Sequence, residues 1–213
     1  GSIPSVVSAN PAAGFSIVKW TGNTDIYATV GHGLNSAPSI YFLKALENGT
    51  SSWIVAGSSD IFSSPNTNYL RLNTTDGVSS TVANVVGSNE STINIGIRNY
   101  DGESTIAYCF AEIAGFSKFG SYTGTGSAGN TVTLGFEPAF VIIKNTNDIR
   151  NWLVFDNKRD PSTPAMLRVD TSDSEFSGNR IQFTSSGFIL QDADGSRNYN
   201  GWNYIYMAFA NQF

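Results

Sequence analysis

Two stretches bring together side chains that could hold a ligand. Arg98-Asn99-Tyr100-Asp101-Gly102 recurs 99 positions later as Arg197-Asn198-Tyr199-Asn200-Gly201, and the second copy continues into Trp202-Asn203-Tyr204. Aromatic rings stack on the apolar faces of sugars, while Asn, Asp and Arg exchange hydrogen bonds with hydroxyls; small-molecule sites mix these groups. Arg98, Asn99, Tyr100, Asp101, Arg197, Asn198, Tyr199, Asn200 and Trp202 are therefore the candidate ligand-binding residues. The competing reading is a hairpin turn at Asp-Gly or Asn-Gly whose aromatics cap the sandwich edge.

No catalytic constellation accompanies them, and a non-enzymatic role is expected. His32 is the one histidine, which rules out a histidine-rich metal site. A Ser-His-Asp triad would have to use it, yet no G-x-S-x-G elbow is present. Cys109, between Ala107-Tyr108 and Phe110-Ala111, reads as a small buried hydrophobe. Gly124-Thr-Gly-Ser-Ala-Gly129 matches G-x-G-x-x-G, but that fingerprint holds phosphate only where a helix follows. Here a strand follows, so a hairpin turn with positive φ is expected. Asp192-Ala-Asp-Gly195 resembles the start of a calcium loop, but Ser196 and Asn203 stand where later ligands belong. A turn is preferred there, and for the Asp170, Asp173 and Glu175 cluster a metal role is likewise disfavoured. The Glu-x-Asp-x-x-Glu pattern of laminarinase-like sandwich enzymes is absent. No cofactor and no metal are expected.

The elements that must position these residues are strands. The chain has 213 residues, 14% of them charged, and carries a net charge of −5 with a pI near 4.7. Long amphipathic helices need Lys, Glu and Arg on their wet face, and this chain is poor in them. Its polar residues are Ser, Thr, Asn and Gly, set among Val, Ile, Phe and Tyr, a β-sheet composition. No basic run offers a phosphate-neutralising surface, so nucleic acid is excluded as a partner. No stretch approaches the roughly 20 apolar residues of a membrane span, so no membrane insertion is expected. The opening Gly1-Ser2 looks like a cloning remnant, so the chain is expected to be a piece of a longer one.

Strands are expected at Phe15–Thr21, Tyr27–Val30, Ser39–Lys44, Trp53–Ala56, Tyr69–Asn73, Thr92–Ile97 and Thr105–Ala111. A second set follows at Phe119–Thr123, Thr131–Leu134, Ala139–Lys144, Asn151–Phe155, Ala165–Val169, Arg180–Phe183, Gly187–Leu190 and Asn203–Ala210. Val82–Val86 is ambiguous between strand and loop. Lys44 and Lys144, Trp53 and Trp152, and Ile106 and Ile205 stand 99 or 100 positions apart, a sign of internal duplication. Trp53 and Trp152 start strands in both copies and read as core. The expected fold is all-β, an antiparallel β-sandwich of jelly-roll-like topology, duplicated, with two closely packed units. The division is 1–13 as a lead-in or linker, 14–115 as the first repeat and 116–213 as the second.

Several strings resemble a known family. They are Phe15 to Gly22, Val30-Gly-His-Gly-Leu34, Tyr69 to Thr75, Ile106 to Glu112, Gly115 to Gly124, Lys158-Arg-Asp-Pro161, Ser186-Gly-Phe188 and Tyr204 to Ala210. Together they resemble a duplicated β-rich domain of marine tailed-phage structural proteins, over Phe15 to Phe213. The resemblance implies a virion component, in a tail fibre, spike or adhesion apparatus that faces the exterior. It implies as partners a host-cell surface glycan or receptor and other virion tail proteins, with homotrimeric assembly. A structural or decoration domain without its own ligand, and a polysaccharide depolymerase, are the alternatives. The family brings no established site residues.

Overall fold

The computed structural model describes residues 1–160 and 164–211. Pro161, named above in Lys158-Arg-Asp-Pro161, and Phe213, the end of the resembling stretch, lie outside the described residues. Among the described residues strand makes up 40% and helix 3%, in several antiparallel sheets without a barrel, which fits a β-sandwich. The chain divides into two compact units. The first is Gly1–Leu72 with Val78–Ile113; the second is Ala114–Phe213 with the short segment Asn73–Gly77.

The first unit contains β1 (Ser5–Asn10), β2 (Phe15–Thr21), β3 (Thr29–Gly31), β4 (Ile40–Ala45), β5 (Ile54–Gly57), β6 (Asn68–Arg71), β7 (Ser79–Ser80), β8 (Thr92–Asn94) and β9 (Ser104–Phe110). Its large sheet runs β1-β2-β9-β4-β5-β6-β7, and β3 pairs with β8 in a small one. Alternation decides which side chains turn inward. In β9, Thr105, Ala107 and Cys109 are buried while their neighbours are half-buried. These small groups on a central strand pack in the core with Trp20, Tyr41 and Leu43 of the same sheet and Val30 and Ile93 of the small one. β4 has no alternation because it is covered on both faces: Tyr41 and Leu43 turn to this core, and Ile40 and Phe42 are also buried.

The second unit contains β10 (Ser117–Thr123), β11 (Asn130–Thr133), β12 (Phe140–Asn145), β13 (Leu153–Asp156), β14 (Met166–Arg168), β15 (Ile181–Thr184), β16 (Gly187–Leu190) and β17 (Asn203–Phe209). Its sheets run β10-β17-β12-β13-β14 and β11-β16-β15. Phe155, Phe188, Tyr204, Val141 and Ile143 are fully buried between them. Burying each Phe contributes about 2–3 kcal/mol.

Counted from Phe15 and from Ser117, both large sheets place first, last, third, fourth and fifth strands side by side. The units part at the sixth strand: β7 extends the large sheet, whereas β15 joins the small one. The third, fourth and fifth strands form a meander within one sheet, where a full jelly roll alternates between sheets.

Several expectations need correction. Residues 1–13 are not a linker: β1 pairs with β2 over Ser5↔Trp20 to Asn10↔Phe15. As an exposed edge strand it has little to bury, so its sequence lacks alternation, and Pro4 and Pro11 bracket it, as edge strands tolerate. The strand expected to run to Ile97 stops at Asn94, and Gly96–Arg98 forms a 3-10 turn. Val82–Val86 contains no strand. Asp101-Gly102 does lie in a turn, with Gly102 at φ 67°, but it joins strands of different sheets and closes no hairpin. The Gly124–Gly129 loop has the positive φ expected at Gly126 and Gly129, yet it too crosses between sheets, from β10 to β11.

Candidate functional site

Three loops of the second unit are tied together around Asn198. Its side chain is fully buried. Nδ2 donates to Ser127 O (2.8 Å) and Asp192 O (2.6 Å), and Oδ1 accepts from Thr125 N (2.9 Å) and Asn130 Nδ2 (2.8 Å). One amide thus satisfies both sides of its hydrogen-bonding capacity, which holds the β10–β11 loop to the β16–β17 loop. Asn145, also fully buried, does the same for the β12–β13 loop. Its Oδ1 accepts from Asn147 N and Asp148 N (both 2.8 Å), and its Nδ2 donates to Gly195 O (2.9 Å). Asn203 N donates to Asn147 Oδ1 at 2.6 Å and closes the frame.

Aromatic rings support this frame from beneath. Tyr204 Oη accepts from Tyr199 N (2.8 Å) and donates to Gly195 O (3.0 Å). Tyr122 Oη donates to Arg197 O (2.6 Å), and its ring stacks on Tyr204 with centroids 5.1 Å apart. Arg197 is 4% exposed and bonds Asp192 and Asp194. Burial pushes the Asp194 carboxyl up, but the hydrogen bond from Ser196 N–H and the Arg197 charge outweigh it and hold it below its usual value. The loop that resembled a calcium site therefore has a guanidinium as its cation.

Lys144 lies below the β12–β13 loop with no exposed surface. Its Nζ donates to Arg150 O (2.6 Å) and Thr75 O (2.9 Å). Burial pushes it down to about 8, opposed by the charges of Asp170, Asp76 and Asp148.

Above the frame sit four side chains that a ligand can reach. Tyr199 is 50% exposed, and its ring lies 4.5 Å from that of Trp202 at a 44° tilt. The Arg150 guanidinium lies 5.5 Å over the Trp202 ring, a cation–π distance. Arg150 Nη2 pairs with Asp148 Oδ2 at 3.1 Å. Gly195 makes this possible: a Cβ there would stand 3.0 Å from Arg150 Nε and 3.1 Å from Nη2. Asn200, next in the chain to Tyr199, and Ile149, next to Arg150, are exposed, the latter at 65%.

The first unit repeats the frame without the platform. Asn99, 3% exposed, donates from Nδ2 to Asn23 Oδ1 (2.6 Å) and Asp25 O (2.8 Å) and accepts from Asn23 N (3.3 Å). Thr24 N bonds Asn99 O and Gly126 N bonds Asn198 O, both at 2.9 Å, and Thr24 and Gly126 share a φ of 68°. Gly22 and Gly124 both approach the motif backbone too closely for a side chain; a Cβ would lie 2.0 Å from Tyr100 O and 2.2 Å from Tyr199 O. Tyr100 is 56% exposed and Asp101 is exposed, but Glu103 stands where Trp202 stands. Lys44 bonds Ser51 O as Lys144 bonds Arg150 O, so Ser51 occupies the Arg150 position. Arg98 is spent on backbone, donating to Ser52 O (2.9 Å) and Ile97 O (3.3 Å).

Of the nine residues singled out in the sequence, Asn99, Asn198 and Arg197 are therefore buried structural groups, and Arg98 is tied to carbonyls. Tyr199 and Trp202 come together in the second unit, where Asn200 is exposed; Tyr100 and Asp101 belong to the first. Arg150 and Asp148 escaped the sequence reading. The signal was present: in a charge-poor chain, Arg150 stands two places before Trp152 where Ser51 stands two before Trp53. Trp152 is buried, as expected of core, while Trp53 is half-buried and stacks on Tyr108 at 6.1 Å.

The other polar candidates have structural partners. Glu175 pairs with Arg159, Asp173 with Arg168 (2.8 Å), and Asp170 accepts from Asn151 Nδ2 (3.1 Å). Among the described residues, no group of three or more His, Cys, Asp or Glu is placed to hold a metal. Cys109 has no exposed surface, and burial pushes its thiol up to about 12, so it carries no thiolate at neutral pH.

His32 is buried, with Nδ1 accepting from Leu34 N and Nε2 donating to Asn89 O, both at 3.1 Å. Burial lowers its pKa from 6.5, against a smaller opposing effect of the Asn89 bond. The unfolded chain therefore takes up this proton first as pH falls. The stabilisation is complete above the unfolded value and is lost as pH drops from there through the folded one. Urea midpoints are expected to fall between about pH 7 and about pH 5, and to fall less in His32→Gln.

Fold and site together define an all-β sandwich protein of two units, with an aromatic and polar platform at a loop end of the second. The chain belongs to the family described as Domain of unknown function (DUF7483), whose model matches residues 1–212. No curated protein and no solved structure matches it.

Proposed function

We propose that this chain is a non-enzymatic glycan-binding module of a phage virion, carried on a tail fibre or spike and facing the host surface. The observation that carries this reading is the Tyr199–Trp202 pair with Arg150 and Asp148 beside it. Rings for stacking and a donor–acceptor pair for hydroxyls stand on a backbone pinned by buried Asn198, Asn145 and Tyr204. Pre-organisation of this kind lowers the ordering cost of binding. The matching hydrogen bonds around Asn99 and Asn198 support descent of the two units by duplication, with the ligand platform kept in the second alone. The resemblance to phage structural proteins supports the virion setting, where other tail proteins and a homotrimer are the expected partners.

A structural or assembly role is the second reading. It is favoured by β1, an uncharged sheet edge whose Val6 is 75% exposed. Binding of the labelled chain to host cells separates the two. Periodate cleaves vicinal diols of surface sugars, so treated cells are expected to lose the chain. Binding unchanged by periodate contradicts the glycan reading; a stable trimer that binds no cell supports the assembly reading.

A further inference from the structure

The platform's charges narrow the class of sugar. Five carboxylates act on this region: Asp148, Asp192 and Asp194 beside the platform, and Asp76 and Asp170 around Lys144. Three cations face them, and each is engaged. Arg197 is buried against Asp192 and Asp194, Lys144 is buried against two carbonyls, and Arg150 is paired with Asp148. The chain as a whole carries −5. An anionic ligand would find no unshared positive charge here and would have to displace Asp148 from Arg150, leaving a carboxylate facing a carboxylate.

Asp148 and Arg150 side by side suit a different group. A carboxylate accepts from one hydroxyl, and a guanidinium donates to the next. Asp148 and Arg150 are both partly open to solvent, with side-chain exposures of 42% and 39%. The Tyr199 ring, against the same Trp202 that Arg150 overlies, offers an apolar face for stacking.

We propose that the site takes a neutral pyranose, stacked on the exposed Tyr199 ring that Trp202 backs, with a vicinal diol bridging Asp148 and Arg150. This rests on the glycan reading above. The ligand class is the uncharged hexose of a surface polysaccharide, in preference to a uronic or sialic acid. Acidic sugars are rejected by Asp148, which serves as both ligand acceptor and charge filter.

Matched pairs test it. Methyl pyranosides of gluco, galacto and manno configuration, each with its uronic acid counterpart, are titrated into the whole chain and followed by NMR. One neutral member is expected to bind and its uronate to bind about tenfold more weakly. Raising salt from about 50 mM to about 500 mM is expected to leave the neutral affinity unchanged. Asp148→Asn is expected to weaken the neutral sugar about tenfold and to narrow the gap to the uronate. Uronate binding as tight as its neutral partner, or affinity that falls with salt, overturns the inference and leaves the glycan reading standing. Failure of every member of the panel to bind overturns both.

Discussion

Replacing Asn198 with alanine is expected to destabilise the second unit by about 3–5 kcal/mol. The substitution removes a side chain with no exposed surface and its bonds to Ser127 O, Asp192 O, Thr125 N and Asn130 Nδ2; Ser127 O keeps Thr125 Oγ1 and Asn130 Nδ2 keeps Thr123 O, so the loss falls on Asp192 O and Thr125 N. Each buried polar group left unpaired costs about 1–3 kcal/mol, and the cavity adds to that. Against a total stability of about 5–15 kcal/mol this is a large fraction. Thermal unfolding should show a melting temperature about 10 °C lower or more. Asn99→Ala does less: Asn23 Oδ1 keeps Asp25 N and Asp25 O keeps Ala28 N as donors, so the loss falls on Asn23 N, and the change should cost about 1–2 kcal/mol. A loss under about 1 kcal/mol for Asn198→Ala would mean that the loops are held by something other than this amide.

The second large effect is on binding. Tyr199→Ala with Trp202→Ala removes both rings of the platform and the surface on which Arg150 rests. Stacked aromatic anchors are the residues that carry most binding energy in such sites. Together the two substitutions should lower affinity for the ligand by about 3 kcal/mol, roughly a hundredfold. Tyr199 is half exposed, so its removal leaves no large cavity. Trp202 packs partly on the core, and some loss of stability is expected from it. The fold should survive, since Asn198, Tyr204 and Tyr122 hold the loop from beneath.

The sequence reveals the strands wherever Val, Ile, Phe, Tyr and Trp crowd together between turn residues, as in Phe15 to Thr21 and Thr105 to Phe110, and most plainly in Ile40 to Leu43, apolar throughout because it is covered on both faces. It hides strands that bury little: Ser5–Asn10 is exposed, so no period marks it. Spacing also cannot tell a crossing loop from a hairpin. Gly124–Gly129 and Asp101-Gly102 carry the right turn residues, yet they join strands of different sheets.

At the site, the 99-residue repeat located the motif but not the roles within it. Asn198 and Tyr199 are neighbours in sequence, one fully buried and one half exposed, because the turn sends successive side chains to opposite sides. Arg197 looked like a ligand group and is a buried partner of two aspartates. Arg150, which no motif marks, lies over Trp202, because Gly195 leaves space for a guanidinium that a Cβ would crowd.

Whether a glycan binds the second unit at its aromatic platform is decided by a glycan array probed with the wild-type chain, with Y199A/W202A and with Tyr100→Ala. Wild type is expected to bind sugar, Y199A/W202A to lose it at a retained cooperative unfolding transition, and Tyr100→Ala to keep it. Unchanged binding in the folded double variant, or loss through Tyr100→Ala alone, would contradict binding at the platform.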